Sequence, residues 1–154
     1  AAGRRGLGVL SPKAPSFVAI DKNTGQMVWE SALPGEKIIH SNWSNAAVGM
    51  VKGQPQVVFG GGDGWVYSFE PKTGALLWKF DGNPKKSVYK PSGPGSRNYF
   101  VSTPVVHDNK VYVATVDAHL VALEPGASVA PKRSAANISS RPIRPKNLRQ
   151  CLSL

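Results

Sequence analysis

Val66-Tyr-Ser-Phe-Glu-Pro-Lys-Thr-Gly-Ala-Leu-Leu-Trp-Lys-Phe80 reads as two short strands joined by a tight turn. Forty-nine residues upstream the chain carries Phe17-Val-Ala-Ile-Asp-Lys-Asn-Thr-Gly-Gln-Met-Val-Trp-Glu30, which aligns with it without a gap. Ile20 falls on Phe69, Asp21 on Glu70, Thr24-Gly25 on Thr73-Gly74, Met27 on Leu76 and Trp29 on Trp78. A third copy starts at Leu120-Val-Ala-Leu-Glu-Pro125 and stops. One supersecondary unit recurring at about fifty residues is the mark of a propeller or solenoid.

The turn chemistry explains why the pattern repeats. An Asp at the start accepts a hydrogen bond from backbone two residues on, and Gly supplies the positive φ that closes the turn without steric cost. Such a loop of four or five residues fits a hairpin with a bulge.

Outward from these hairpins, residues 1–15 read as an irregular lead-in rich in Gly, Ala, Arg and Pro. Phe17–Ile20 and Gln26–Glu30 form half a unit, and 31–43 a connection. A whole unit follows: strand 46–51, turn 52–55, strand 56–59, glycine-rich turn 60–64, strand 65–69, then the returning strand to Trp78. Four antiparallel strands of this length make one propeller blade. After a long loop, 81–100, the next blade begins at 101–106, turns at 107–110, returns on 111–115 and enters a third strand at 119–123. From Gly126 the chain is basic and without period, so 127–154 reads as a disordered tail and 16–126 as the folded unit. The expected fold is all-β, about two and a quarter four-stranded blades of an incomplete ring whose remaining blades lie outside this chain.

The formal charge of +10 invites a nucleic-acid reading until it is located. Residues 17–126 hold ten Lys and Arg against all nine acids, so the folded part is nearly neutral and the basicity sits at the two ends. A nucleic-acid binder needs a basic face on the fold itself, so no nucleic-acid partner is expected. The single cysteine, Cys151, lies in the tail and leaves no disulfide within the chain. No apolar run reaches the roughly 20 residues of a membrane span.

The motif Asp-x-x-Thr-Gly-x-x-x-Trp, in the copies Asp21, Thr24, Gly25, Trp29 and Glu70, Thr73, Gly74, Trp78, resembles the tryptophan-docking repeat of quinoprotein-type (PQQ-like) β-propellers. It resembles the quinone-free branch whose best-known member is lipoprotein B of the outer-membrane β-barrel assembly machinery. The resemblance implies that these eight residues are structural, each Trp packing between blades, and that the protein works in the periplasm, the cell envelope or outside the cell. It implies a non-catalytic scaffold with a protein partner and no cofactor. The alternative is a portion of a pyrroloquinoline-quinone (PQQ) dehydrogenase, for which the family implies PQQ, calcium, a catalytic Asp and often a pair of adjacent cysteines. No adjacent cysteines occur here.

Residue spacing adds no catalytic or metal centre to this reading. His40, His107 and His119 lie on separate connections without zinc-site spacing. Asp63 and Asp117 occupy equivalent turns and read as turn formers. Strand alternation instead puts the 31–43, 60–65, 81–100 and 116–119 loops on one face. That face collects His40, Asn42, Trp43, Trp65, Tyr89, Arg97, Asn98 and Tyr99, the aromatic and Arg chemistry that protein contacts use. Against this stands the plainer expectation that these side chains pack the loops onto the blades.

Overall fold

The computed structural model describes residues 10–90, 92–117 and 120–123, and among these, alternating apolar residues between turn formers produce nine strands. β1 (Phe17–Ile20) and β2 (Met27–Ser31) form a two-stranded sheet. β3 (Ala47–Val51), β4 (Gln54–Gly60), β5 (Trp65–Phe69) and β6 (Leu76–Asp81) form a four-stranded meander in chain order. β7 (Val105–His107), β8 (Lys110–Ala114) and β9 (Leu120–Leu123) form a three-stranded sheet. All pairings are antiparallel, and the described residues contain no α-helix. The two, four and three strands are those of the expected half blade, whole blade and unfinished third. The tail over 127–154, Cys151 and His119 lie outside the described residues.

The two repeat turns form as their chemistry demands. Asp21 Oδ1 accepts from the N–H groups of Asn23 (2.8 Å) and Thr24 (2.9 Å). The longer Glu70 curls back to do the same, Oε2 accepting from Lys72 N (2.9 Å), Thr73 N (2.6 Å) and Thr73 Oγ1 (2.7 Å). Each hairpin slips register at one place, between Ala19 and Ile20 and between Ser68 and Phe69, the bulge that a loop of this length imposes.

Two other turns are tighter than their sequence suggests. The expected 52–55 turn is only Lys52-Gly53, both at positive φ (51° and 77°), so β4 starts at Gln54 and takes in Pro55. Pro55 pairs with Met50 beyond the end of the β4–β5 ladder, which begins at Val57, so its missing N–H breaks no bond to β5. The 107–110 turn likewise shrinks to Asp108-Asn109, at φ 48° and 57°. Both are primed two-residue turns, whose twist matches the flanking strands. They touch each other: Asn109 Oδ1 accepts from Lys52 N at 2.7 Å, joining the middle sheet to the third. The strand expected from Val101 begins only at Val105, preceded by a single bridge between Phe100 and Thr115.

Successive residues of β5 point to opposite faces of the middle sheet and into two cores. Val66, with Val51, Val58, Phe100, Val111, Val113 and Leu123, packs against the third sheet. Tyr67 and Phe69 pack with Phe17 and Trp29 of the first sheet. Here the two motif tryptophans diverge. Trp29 lies on the next sheet's turn, its Nε1–H donating to Pro71 O at 2.8 Å and its ring 5.5 Å from that of Phe69. Gly74, at φ 70°, presses on that ring so closely that a Cβ there would stand 2.6 Å from it. Trp78 instead donates Nε1–H to Gln56 Oε1 (2.7 Å) inside its own sheet, an oxygen shared with Ser68 Oγ (2.8 Å). Its ring packs against the Val51–Leu123 core.

Candidate functional site

At the Trp65 end of β5 the connections between sheets converge and hold one another through backbone bonds. Gly62 is the hub: its N–H donates to Asn42 Oδ1 (2.8 Å), and its carbonyl accepts from His40 N (3.0 Å). Asn83 ties the long 82–104 loop down, Nδ2 donating to Asn98 O (2.9 Å) and Gly64 O (3.2 Å) while Oδ1 accepts from Asn98 N (2.7 Å). Tyr99 O accepts from Val116 N at 3.0 Å, bringing the fourth loop to the same end.

The eight residues expected on this face fall into distinct positions. His40, Trp43 and Tyr99 cluster: His40 stacks on Tyr99 at 4.3 Å and 6°, and its Nδ1 accepts from Trp43 Nε1 at 2.9 Å. Trp43 itself remains 59 % exposed. A second cluster joins Trp65 and Tyr89, the indole N–H donating to the Tyr89 oxygen at 2.8 Å. Asn42 and Asn98 are spent on holding loops. Arg97 departs from expectation most: it is buried, its Nε donating to Asp63 O (2.9 Å), one terminal nitrogen to Ser87 Oγ (3.0 Å) and the other paired closely with Asp81. Its guanidinium lies 4.3 Å from the Tyr89 ring centre. Arg97 thus packs the loop onto the sheet, because the donors of one flat group reach the β4–β5 turn, the end of β6 and its own loop at once.

Beside the second cluster a cleft of ≈ 170 Å³ opens between the first and middle sheets, lined by Leu33, Pro34, Lys37, Asp63, Trp65, Tyr67, Lys79 and Tyr89. Asp63 is buried, its Oδ2 accepting from Tyr67 O–H at 2.6 Å and its Oδ1 from Trp65 N at 3.2 Å. Burial pushes the Asp63 carboxyl above the usual carboxylate range against the pull of the Tyr67 hydroxyl, and burial together with the Asp63 charge pushes the Tyr67 phenol up. Asp63 forms its turn as expected, and the buried partnership with Tyr67 is additional. Lys79 stands 4.7 Å above the Trp65 ring and Lys37 5.4 Å from that of Tyr89. Both Lys were missed in the sequence, although the hairpin register, which sets Tyr67 opposite Lys79, held the clue to one.

A carboxyl whose folded pKa is raised stabilises the fold below its unfolded pKa and loses that contribution as pH rises through the folded value. Asp63→Asn removes the loss. Between pH 4 and pH 7 the stability of the variant relative to the natural chain should therefore rise, read from urea midpoints of both proteins at each pH. A difference that stays flat or falls contradicts the assignment.

Both oxygens of Asp63 are engaged internally, and among the described residues no three His, Cys, Asp or Glu side chains gather closely enough to hold a metal ion. No described helix is long and apolar enough to cross a membrane.

Consecutive antiparallel sheets packed face to face, the first two closed by an Asp/Glu-Thr-Gly hairpin, define a β-propeller protein of the PQQ-like repeat class. The chain belongs to the family described as outer membrane protein assembly factor BamB, whose sequence model matches residues 13–128. Among solved structures it resembles BamB from Moraxella catarrhalis, with a TM-score of 0.51 and 20 % identity over 70 % of this chain and 30 % of that one. It also resembles the quinohemoprotein alcohol dehydrogenase ADHIIG from Pseudomonas putida HK5, with a TM-score of 0.54 and 19 % identity over 75 % of this chain and 17 % of that one. The chain thus spans under a third of the length of either. No curated protein sequence matches it.

Proposed function

We propose that the chain is a portion of a non-catalytic β-propeller scaffold of the cell envelope or periplasm, which binds a protein partner through its loop face and needs neither quinone nor calcium. The observation that carries this reading is Trp43, a large ring 59 % exposed yet fixed by its bond to His40, which in turn stacks on Tyr99. A rigid aromatic presented on a firm frame contributes contact area to an interface at little ordering cost. The family supports the same reading, since BamB is by its description an assembly factor of the outer membrane. Trp29 and Gly74 are assigned to docking one blade on the next, and the loop face to the partner.

Two measurements test the proposal. A photo-crosslinking residue at Trp43 in the native host should yield a discrete protein adduct, whereas the same residue at Lys22, on the turn at the opposite end of the strands, should yield none. Titration with PQQ and Ca²⁺ should leave the quinone absorbance unchanged. A quinone shift accompanied by dye reduction would replace the scaffold by the dehydrogenase alternative.

A further inference from the structure

The cleft beside Trp65 carries an imbalance of donors over acceptors. Its one carboxylate, Asp63, spends both oxygens on Tyr67 and on the Trp65 backbone. The Tyr89 oxygen accepts from the Trp65 indole, which leaves its own proton with no acceptor among the described residues. Lys37 and Lys79 are exposed, each within cation–π range of an aromatic ring of the cleft, and neither is paired with a carboxylate among the described residues. Two ammonium groups and a phenol proton thus line a space of ≈ 170 Å³ whose one carboxylate is already engaged. Hydrogen bonds from an ionised donor are the stronger kind, and two such donors beside one phenol can act on the same group. A carboxylate is the group that answers all three donors, and its methylene stem would lie against Trp65.

We propose that this cleft receives an acidic side chain from an extended segment of the partner polypeptide, with Lys37, Lys79 and the Tyr89 hydroxyl as its ligands. The proposal rests on the scaffold reading and names the partner's chemistry at one place on it. The bond network also explains why the cleft stays open. Arg97 ties the long loop to Asp63 O, Ser87 and Asp81 and lies 4.3 Å from the Tyr89 ring centre, which fixes Tyr89 as a wall of the cleft.

The probe is a capped decapeptide alternating Glu and Leu, compared with its Gln counterpart. The reporter is the indole N–H resonance of Trp65, one of four Trp signals, assigned through Trp65→Phe. The Glu peptide should shift that resonance and bind at least tenfold more tightly than the Gln peptide. The double variant Lys37→Gln/Lys79→Gln should lose tenfold or more, while Lys85→Gln/Lys86→Gln, which removes equal charge from exposed residues of the long loop, should lose less than twofold. Equal binding of Glu and Gln peptides overturns the proposal. So does equal weakening by the two double variants, which would mean general charge attraction, and so does a Trp65 signal that never moves. Crosslinking from Trp43 in the Lys37→Gln/Lys79→Gln background separates the two readings. An undiminished adduct there sinks the cleft alone, whereas no adduct in the natural protein sinks the scaffold.

Discussion

Trp29→Ala is expected to lower the unfolding free energy by about 3–5 kcal/mol, the range for deleting a buried Trp side chain. Three separate contacts are lost together. The ring fills the space above Phe69 and Gly74, and the indole N–H satisfies Pro71 O across the boundary between two sheets. Alanine leaves a cavity that the neighbours are poorly placed to fill, because the 70–74 turn is already fixed by Glu70 and Thr73. Trp29→Phe keeps most of the ring and should cost far less, with about 1 kcal/mol assignable to the lost hydrogen bond. Denaturant unfolding of the three proteins checks the order. An alanine variant within 1 kcal/mol of the natural chain would remove Trp29 from the list of contacts holding the sheets together.

Arg97→Ala should be the most damaging change on the loop face, by about 2–3 kcal/mol, since several hydrogen bonds of a charged group are lost together. Arg97 is buried while its partner Asp81 stays part-exposed, so the cost comes mainly from Asp63 O and Ser87 Oγ losing their donor along with the ion pair. Because Asp63 lies in the β4–β5 turn and Asp81 ends β6, while Arg97 itself sits in the long loop, losing these bonds should detach the loop before the sheets come apart. Limited proteolysis should therefore cut the variant within 82–104 at protease levels that leave the natural chain whole. Arg97→Lys restores the charge without the fork and should recover only part of the resistance. Protection equal to that of the natural chain would show that Asn83 alone secures the loop.

Most of the frame was legible from the two ungapped motifs, because turn chemistry and strand alternation are local properties. Asp21 and Glu70 sit at turns for reasons contained within five residues. The errors lie where a local rule met a partner far away in sequence. Pro55 was read as turn, since nothing nearby reveals that the β5 ladder ends before reaching it. Arg97 was placed on the loop face with contact and packing both open, since its three acceptors are 10, 16 and 34 residues distant. The Asp63–Tyr67 pair was hidden for another reason. An inward Tyr on a strand looks like any core residue, and only tertiary packing aims its hydroxyl at the carboxylate.

The alternation along β5 has a consequence for how the chain comes apart. Neighbouring residues of one strand belong to different cores, Val66 to one and Tyr67 to the other, so the strand cannot loosen on one side while staying whole on the other. Its amides become exchangeable with solvent only through an opening that disrupts both contacts, whereas β1 and β9 each answer to a single one. The centre of the array should therefore be its slowest-exchanging element in amide hydrogen exchange, with protection falling toward both ends. That gradient would mark the unit as a linear stack in which each sheet borrows stability from its neighbours.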